Sequence, residues 1–150
     1  MIKRPKVSKM PKGWTDNLET PPWLFESLDE TFHFTMDGAA DKKNALLPRF
    51  NSLADPRSFK EERVFLNPPY SNPGPLLAEA RYSMLTVALL KGDPSVGWWR
   101  QYVEGKGLVI WGHRRIRFFY EGKPAPHAAS FPSVLVFYLN EVFEQTGVNS

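Results

Sequence analysis

Residues Asn67-Pro68-Pro69-Tyr70, inside the stretch VFLNPPYSNPGP, are the part of the sequence whose types and order best suit chemistry. A residue before proline is pushed out of the helical region, so Asn67 and Pro68 are expected to be extended, and neither proline offers an N–H. The loop is therefore stiff and presents oxygen acceptors. A rigid surface turn uses the same residue types, so the surrounding sequence must decide between a turn and a site.

Two fixed acceptors suit an amino nitrogen on an aromatic ring, such as N6 of adenine. Its lone pair is delocalised into the ring, so the amine is a poor nucleophile that no ordinary base deprotonates at neutral pH. If the Asn67 side-chain oxygen and the Pro68 carbonyl each accept one hydrogen, the lone pair is aimed at an electrophilic methyl group. Tyr70 offers an aromatic face to a base that has left the duplex. The motif predicts methyl transfer to an amino nitrogen.

A second candidate site is Asp37-Gly38-Ala39-Ala40, directly after the apolar stretch FTM. Small residues let a ligand approach the backbone, and an acid at a strand end can bind a ribose hydroxyl or an ammonium group. No G-x-G-x-x-G occurs, so the dinucleotide fingerprint is absent. An acid before small residues is also typical of a plain turn, and this alternative stays open.

Basic residues are concentrated in two places although the net charge is only +3. The first twelve residues carry five basic side chains and no acid, which predicts a flexible arm. The stretch HRRIRFFYEGK alternates cations with aromatics, which suits a phosphate backbone and an unstacked base. A solvated face, or ion pairs to acids such as Glu121, is the alternative for its arginines: Arg114, Arg115 and Arg117.

The elements that must position these residues alternate along the chain. ETPPWLFESLDETF predicts an amphipathic helix with Thr20 as N-cap, and LLAEARYSM and SVGWWRQYVEG predict two more helices. The predicted strands are FHFTMDGAA, RVFLN, LTVALL, KGLVIWG, RIRFFY and SVLVFYL. This alternation predicts a doubly wound α/β sheet with ligands at the carboxyl ends of its strands.

Composition bounds the class of protein. A chain of 150 residues with 42% hydrophobic and 23% charged residues is expected to form one compact domain. It has no apolar run near the ~20 residues needed to span a bilayer, and its basic start predicts a cytoplasmic protein. The absence of cysteine excludes disulfides and thiolate-bound zinc, and three scattered histidines predict no metal site.

Five segments in order resemble the small phage and prophage DNA adenine-N6 methyltransferases, from about Trp14 to Leu139. They are ETPPWLFESLDETFHFTMDGAAD, VFLNPPYS, VALLKGDPSVGWWRQYV, RRIRF and SFPSVLVFY. The chain departs from the family at Arg114, where glycine is common, and at Lys91, where proline is common.

The resemblance implies a Rossmann-like, S-adenosylmethionine-dependent methyltransferase domain at 14–150, preceded by the arm at 1–13. The catalytic loop would be Asn67, Pro68, Pro69 and Tyr70, and the arginines of the second cluster would contact double-stranded DNA. S-adenosylmethionine would be held by a further set of residues: Thr20, Pro21, Asp37, Ala39 and Asp55.

The expected activity is direct methyl transfer to adenine N6 in DNA by a monomer or homodimer. Alternatives with the same chemistry are methylation of RNA or of protein glutamine, and outside enzymology a non-catalytic DNA-binding relative. The recognition sequence and the biological role, protection from restriction or regulation, stay open.

Overall fold

The structure is a computed structural model that describes residues 14–140. The predicted basic arm at 1–13 and the end of the predicted domain at 141–150 lie outside the described residues. No helix in the described part of the chain is long and apolar enough to cross a membrane.

The predicted alternation of helices and strands holds for part of the region from 14 to 140: the first two strands, and also the last four, follow one another without a helix between them. A short 3-10 helix at Trp14–Asn17 precedes the first α-helix. The α-helices are α1 Pro22–Phe32, α2 Gly74–Ala80 and α3 Gly97–Tyr102. The strands are β1 Met36–Asp37, β2 Arg63–Leu66, β3 Leu85–Lys91, β4 Leu108–Trp111, β5 Phe119–Tyr120, β6 Lys123–Pro124 and β7 Ser133–Tyr138.

Five strands form one mixed sheet in the order β1-β2-β3-β7-β4. The first three are parallel, with Asp37 beside Phe65 and Leu66 beside Ala88. Strand β7 is antiparallel to both β3 and β4, so β4 runs in the direction of β3. Asp37, Asn67 and the loop after Trp111 therefore follow strand ends at the same edge of the sheet.

Helices cover both faces of this sheet. Alternate residues of β2, β3 and β7 point to opposite sides, and each side has its own hydrophobic cluster. Helix α1 packs into one cluster with Phe65, Leu89 and Phe137, whereas α2 and α3 pack into the other. The predicted doubly wound, Rossmann-like mixed sheet in one compact domain is confirmed.

A small hairpin of β5 and β6 lies outside the main sheet and is hydrogen-bonded to the segment that precedes α1. Its two-residue turn, Glu121-Gly122, has positive φ at both positions, 51° and 78°, as a type I′ turn requires. Glu19 and Phe119 exchange backbone hydrogen bonds of 2.7 and 3.0 Å. The Glu19 carboxylate also accepts from the Gly122 N–H at 2.8 Å.

Three details of the predicted elements are wrong. RIRFFY is not one strand, because only Phe119 and Tyr120 pair, and they pair with β6. Helix α2 begins at Gly74, before the predicted LLAEARYSM, since Pro75 at its second position needs no partner for its nitrogen. The N-cap of α1 is Pro21, so the Thr20 side chain does not cap the helix.

Phe65 joins α1 to the sheet, and its truncation is expected to destabilise the whole domain. The ring is fully buried and lies 5.5 Å from the Phe25 ring and 5.6 Å from the Phe34 ring, centroid to centroid. Phe65→Ala should lower the free energy of unfolding by about 3–5 kcal/mol, measured by urea denaturation. The fully exposed Leu53 provides the control, and Leu53→Ala should change it far less. Equal effects would contradict this packing.

Candidate active site

A small pocket at the carboxyl edge of the sheet brings four of the predicted site residues together. It encloses about 40 Å³, room for one functional group. Its lining includes Thr20, Asp37, Ala39 and Asn67, all predicted, together with Leu18, Glu19, Asn44 and Leu46, which were not. The pocket lies where the loops after β1 and β2 meet the segment before α1. The remaining predicted residues do not line it.

The Asn67 side chain is held in one orientation by that segment. Its amide Nδ2 donates to the Leu18 carbonyl at 3.2 Å and to Thr20 Oγ1 at 3.1 Å. Both amide hydrogens are thereby used, which leaves Oδ1 facing away from these partners. Among residues 14–140, no donor reaches Oδ1. The geometry presents a fixed acceptor beside the pocket.

Pro68 and Pro69 lie at the centre of the loop. Neither has a backbone donor, and no donor in the described part of the chain reaches the Pro68 carbonyl. The Pro69 carbonyl accepts instead from the Asn72 N–H at 3.3 Å, which closes the turn after the motif. Asn67 Oδ1 and the Pro68 carbonyl oxygen belong to consecutive residues, and neither has a donor partner among residues 14–140.

Tyr70 is packed into an aromatic cluster beneath the loop. Its ring centroid lies 5.6 Å from that of Phe131 and 6.4 Å from that of Phe118, and both pairs are edge-on. The hydroxyl donates to the Leu89 carbonyl at 3.3 Å, and burial raises its pKa above the usual range of tyrosine. Tyr70 is therefore a neutral donor that anchors the loop to β3. Its stacking on a base stays a prediction.

The Asp37 side chain is almost fully buried, although its ionised carboxylate can accept hydrogen bonds but cannot donate one. It is 3% exposed, and it accepts from the Ala39 N–H at 3.2 Å and the Leu46 N–H at 3.0 Å. Burial raises its pKa to about 6, although these two hydrogen bonds lower it. The acid organises the loop from 39 to 46 and also lines the pocket, so the turn and the ligand-binding interpretations are compatible.

Gly38, directly after that acid, is required by packing. A Cβ there would lie 2.8 Å from a Val64 methyl group and 3.0 Å from both Leu66 and Phe59. Asn51 secures the same backbone, because its Nδ2 donates to the Gly38 carbonyl at 3.0 Å. No periodicity marks the stretch from 41 to 62, so Asn44, Leu46 and Asn51 gave no signal in the sequence.

Asp55 lies apart from the pocket. Its side chain is 71% exposed and forms an ion pair of 3.2 Å with Arg57. Pro21 serves as the N-cap of α1, and its carbonyl accepts from the N–H groups of Leu24 and Phe25. Roles for Asp55 and Pro21 in holding a cofactor stay predictions.

The predicted arginines line a larger groove of about 510 Å³ at the same edge of the sheet. Arg114 and Arg115 are exposed and make no ion pair within residues 14–140, so the predicted alternative partner Glu121 is not engaged. Arg117 donates from Nε to the Ala125 carbonyl at 2.6 Å. The groove has an apolar floor and basic walls, and no acidic side chain is among the described residues that line it.

Comparison with known proteins identifies the family. Residues 7–149 match the family model described as DNA N-6-adenine-methyltransferase (Dam). A DNA N-6-adenine-methyltransferase of Haemophilus phage HP1 is 30% identical over 124 residues, which cover 74% of this chain and 70% of the relative.

A solved structure from Pyrococcus horikoshii, assigned as an RNA methyltransferase, is also similar. It is 17% identical, with a TM-score of 0.45, over 88% of this chain and 90% of the other. At this TM-score and identity, the similarity adds no information beyond the strand order already described. The match over nearly the whole sequence, with the phage relative, establishes that this chain belongs to the DNA N-6-adenine-methyltransferase family.

Proposed function

We propose that this protein transfers a methyl group from S-adenosylmethionine directly to N6 of an adenine flipped out of double-stranded DNA. The observation that carries the proposal is the orientation of Asn67. Its amide nitrogen donates to Leu18 and Thr20, so its oxygen and the carbonyl of the next residue, Pro68, are left as acceptors. An amino group with two hydrogens to donate is the natural partner of such a pair.

The two acceptors act on the amine in the transition state. As N6 forms its bond to the methyl carbon, the nitrogen gains positive charge, and its two hydrogens then bind Asn67 Oδ1 and Pro68 O more strongly. Fixed acceptors stabilise this charge without reorganising, because the loop is already rigid. The bond between the methyl group and its carrier breaks in the same step, and N6 afterwards loses one proton to solvent.

The small pocket suits the amino-acid end of the methyl donor. Asp37 offers a carboxylate in a buried setting, and the small Ala39 lines the pocket beside it. An ammonium group next to Asp37 would compensate the buried negative charge. S-adenosylmethionine, when bound, supplies a methyl group made electrophilic by the positively charged sulfur. With about 40 Å³ enclosed, the rest of the donor would lie along the open surface outside the pocket.

The arginine-lined groove supports DNA as the substrate. Arg114 and Arg115 have no acidic partner within residues 14–140, so their charges are available to phosphates. The groove follows β4 and the catalytic loop follows β2, at the same edge of the sheet. A duplex laid along that edge would reach both. Interfaces of this kind gain much of their affinity from released counterions.

The first test is incubation of the purified protein with labelled S-adenosylmethionine and unmethylated DNA, followed by nucleoside analysis. N6-methyladenine is the expected product. RNA and glutamine peptides in parallel reactions report the alternative acceptors.

Asn67→Ala should abolish turnover, while the affinity for S-adenosylmethionine, measured by calorimetry, stays within a few-fold of wild type. Asn72→Ala is the control, since this exposed side chain in the same loop has no partner within residues 14–140 and should leave turnover unchanged.

Donor affinity should depend on pH through Asp37. With a pKa of about 6, the carboxylate is ionised above pH 6 and neutral below it. Affinity for S-adenosylmethionine should therefore fall by roughly tenfold per pH unit below pH 6. Asp37→Asn should remove this dependence.

A matched ligand separates Asp37 from the other titrating groups. Methylthioadenosine lacks the amino acid, so its affinity should not follow the Asp37 titration. Glu19, the other acid in the lining, already accepts a hydrogen bond from Gly122.

The stability of the folded protein should depend on pH in the opposite direction to donor affinity. Because the folded state holds the proton more tightly, the free energy of unfolding should fall by up to about 3 kcal/mol as pH rises from 4 to beyond 6.

Arg115 is expected to contact a DNA phosphate. Arg115→Ala should reduce the slope of log affinity against log salt concentration by about 0.9, measured by fluorescence anisotropy on a duplex. Arg100→Ala is the control. Arg100 is exposed on α3 at the opposite face of the sheet, so its substitution should leave the slope unchanged. An unaltered slope in Arg115→Ala would show that the groove is not a phosphate contact.

A further inference from the structure

Asp16, in the short 3-10 helix before α1, makes two hydrogen bonds to the residue that follows the catalytic motif. Its Oδ1 accepts from the Ser71 N–H at 2.9 Å, and its Oδ2 accepts from the Ser71 hydroxyl at 2.6 Å. The two residues are 55 positions apart in sequence. A carboxylate bound through both oxygens fixes the orientation of its partner as well as its distance.

The catalytic loop has few other attachments. Pro68 and Pro69 have no N–H, so the loop cannot be tied down through backbone donors at its centre. Within residues 14–140, side-chain hydrogen bonds attach it to the rest of the protein at three residues: Asn67, Tyr70 and Ser71. Two of these, Asn67 and Ser71, bind the segment from Asp16 to Thr20. That one segment therefore holds the loop at both ends.

The segment is itself anchored without Asp16. Leu18 is buried in the hydrophobic cluster on the α1 face, and Trp14 packs against the same cluster. Glu19 pairs with Phe119 through two backbone hydrogen bonds. The carboxylate of Asp16 meets no cation at ion-pair distance in the described part of the chain, so its contacts there are those to Ser71. Loss of Asp16 should loosen the loop and leave the fold intact.

We propose that Asp16 is a positioning residue: by clamping Ser71 it keeps the Asn67 and Pro68 acceptors in the geometry that the transferred methyl group requires. The proposal rests on the proposed function and adds a residue to it. Near-attack geometry is sensitive to displacements of about 1 Å, which cost roughly a hundredfold in rate. Asp16 does not line the small pocket, so it acts on the reaction through the loop.

The test compares single-turnover methylation rates with DNA and donor both saturating. Asp16→Ala should lower the rate about 10-fold to 100-fold, while the dissociation constant for S-adenosylmethionine stays within a few-fold. Ser71→Ala, which removes only the hydroxyl bond, should lower it less. The double variant should be no slower than Asp16→Ala, since both changes remove the same contact.

Asp93 provides a matched control. Its carboxylate binds the Ser95 N–H at 3.0 Å and the Ser95 hydroxyl at 2.5 Å, but within a local turn. Asp93→Ala removes the same charge and a similar pair of hydrogen bonds, both of which are accepted by Asp93 Oδ1, and its rate should stay within twofold of wild type. A rate within twofold of wild type for Asp16→Ala, or additive losses in the double variant, would overturn the proposal.

Amide hydrogen exchange tests the clamp without relying on activity. Asp16→Ala should speed exchange at the Ser71 N–H by more than tenfold, and Asp93→Ala should not. Unchanged exchange would refute the clamp even if the rate fell.

If Asp16→Ala does not fold, Ser71→Ala provides the test alone: it must lower the methylation rate at saturation while the affinity for S-adenosylmethionine stays unchanged. If the wild-type protein makes no N6-methyladenine, the proposed function is wrong, and amide exchange at Ser71 still tests its contact with Asp16.

Discussion

The orientation of one amide group is the constraint on which the site depends. In the proposed reaction Asn67 presents its amide oxygen, and not its nitrogen, to the substrate, and a free asparagine has no reason to prefer either. The preference comes from Leu18 and Thr20, which accept from the amide nitrogen. These residues lie 49 and 47 positions away in sequence, so the orientation of the Asn67 amide is set by long-range contacts. The segment from Asp16 to Thr20 is in this sense part of the candidate site.

Asp37 shows the cost of building such a site. A buried carboxylate that has two backbone donors and no ion pair within residues 14–140 is poorly compensated, and its pKa of about 6 reflects that. The fold tolerates the group because it organises the loop after β1, and the small Gly38 allows the sheet to pack closely behind it. A positively charged ligand would relieve the same cost. Stability and ligand binding therefore place opposite demands on one side chain.

The sheet also explains how a small domain can combine its tasks. Parallel strands β1 and β2 end side by side, which brings Asp37 near Asn67, and β4 ends at the same edge, which brings Arg114 and Arg115 there. The β5–β6 hairpin is attached to Glu19, so the arginine stretch, the hairpin and the N-terminal segment are neighbours. The small pocket, the Asn67 loop and the arginine-lined groove thus share one edge of the sheet.

The sequence by itself determined the doubly wound fold, and it indicated the candidate catalytic motif and the small residues after Asp37, because hydrophobic alternation and proline stereochemistry are local properties. It also identified the family, since the motifs follow its order. Only the tertiary structure decided that Thr20 binds Asn67 and does not cap α1, that Tyr70 anchors to Leu89, and that Asp16 clamps Ser71. It also showed that Asp55 stands apart from the pocket. Each of these depends on contacts between distant residues, and side-chain hydrogen bonds leave no periodic trace in a sequence.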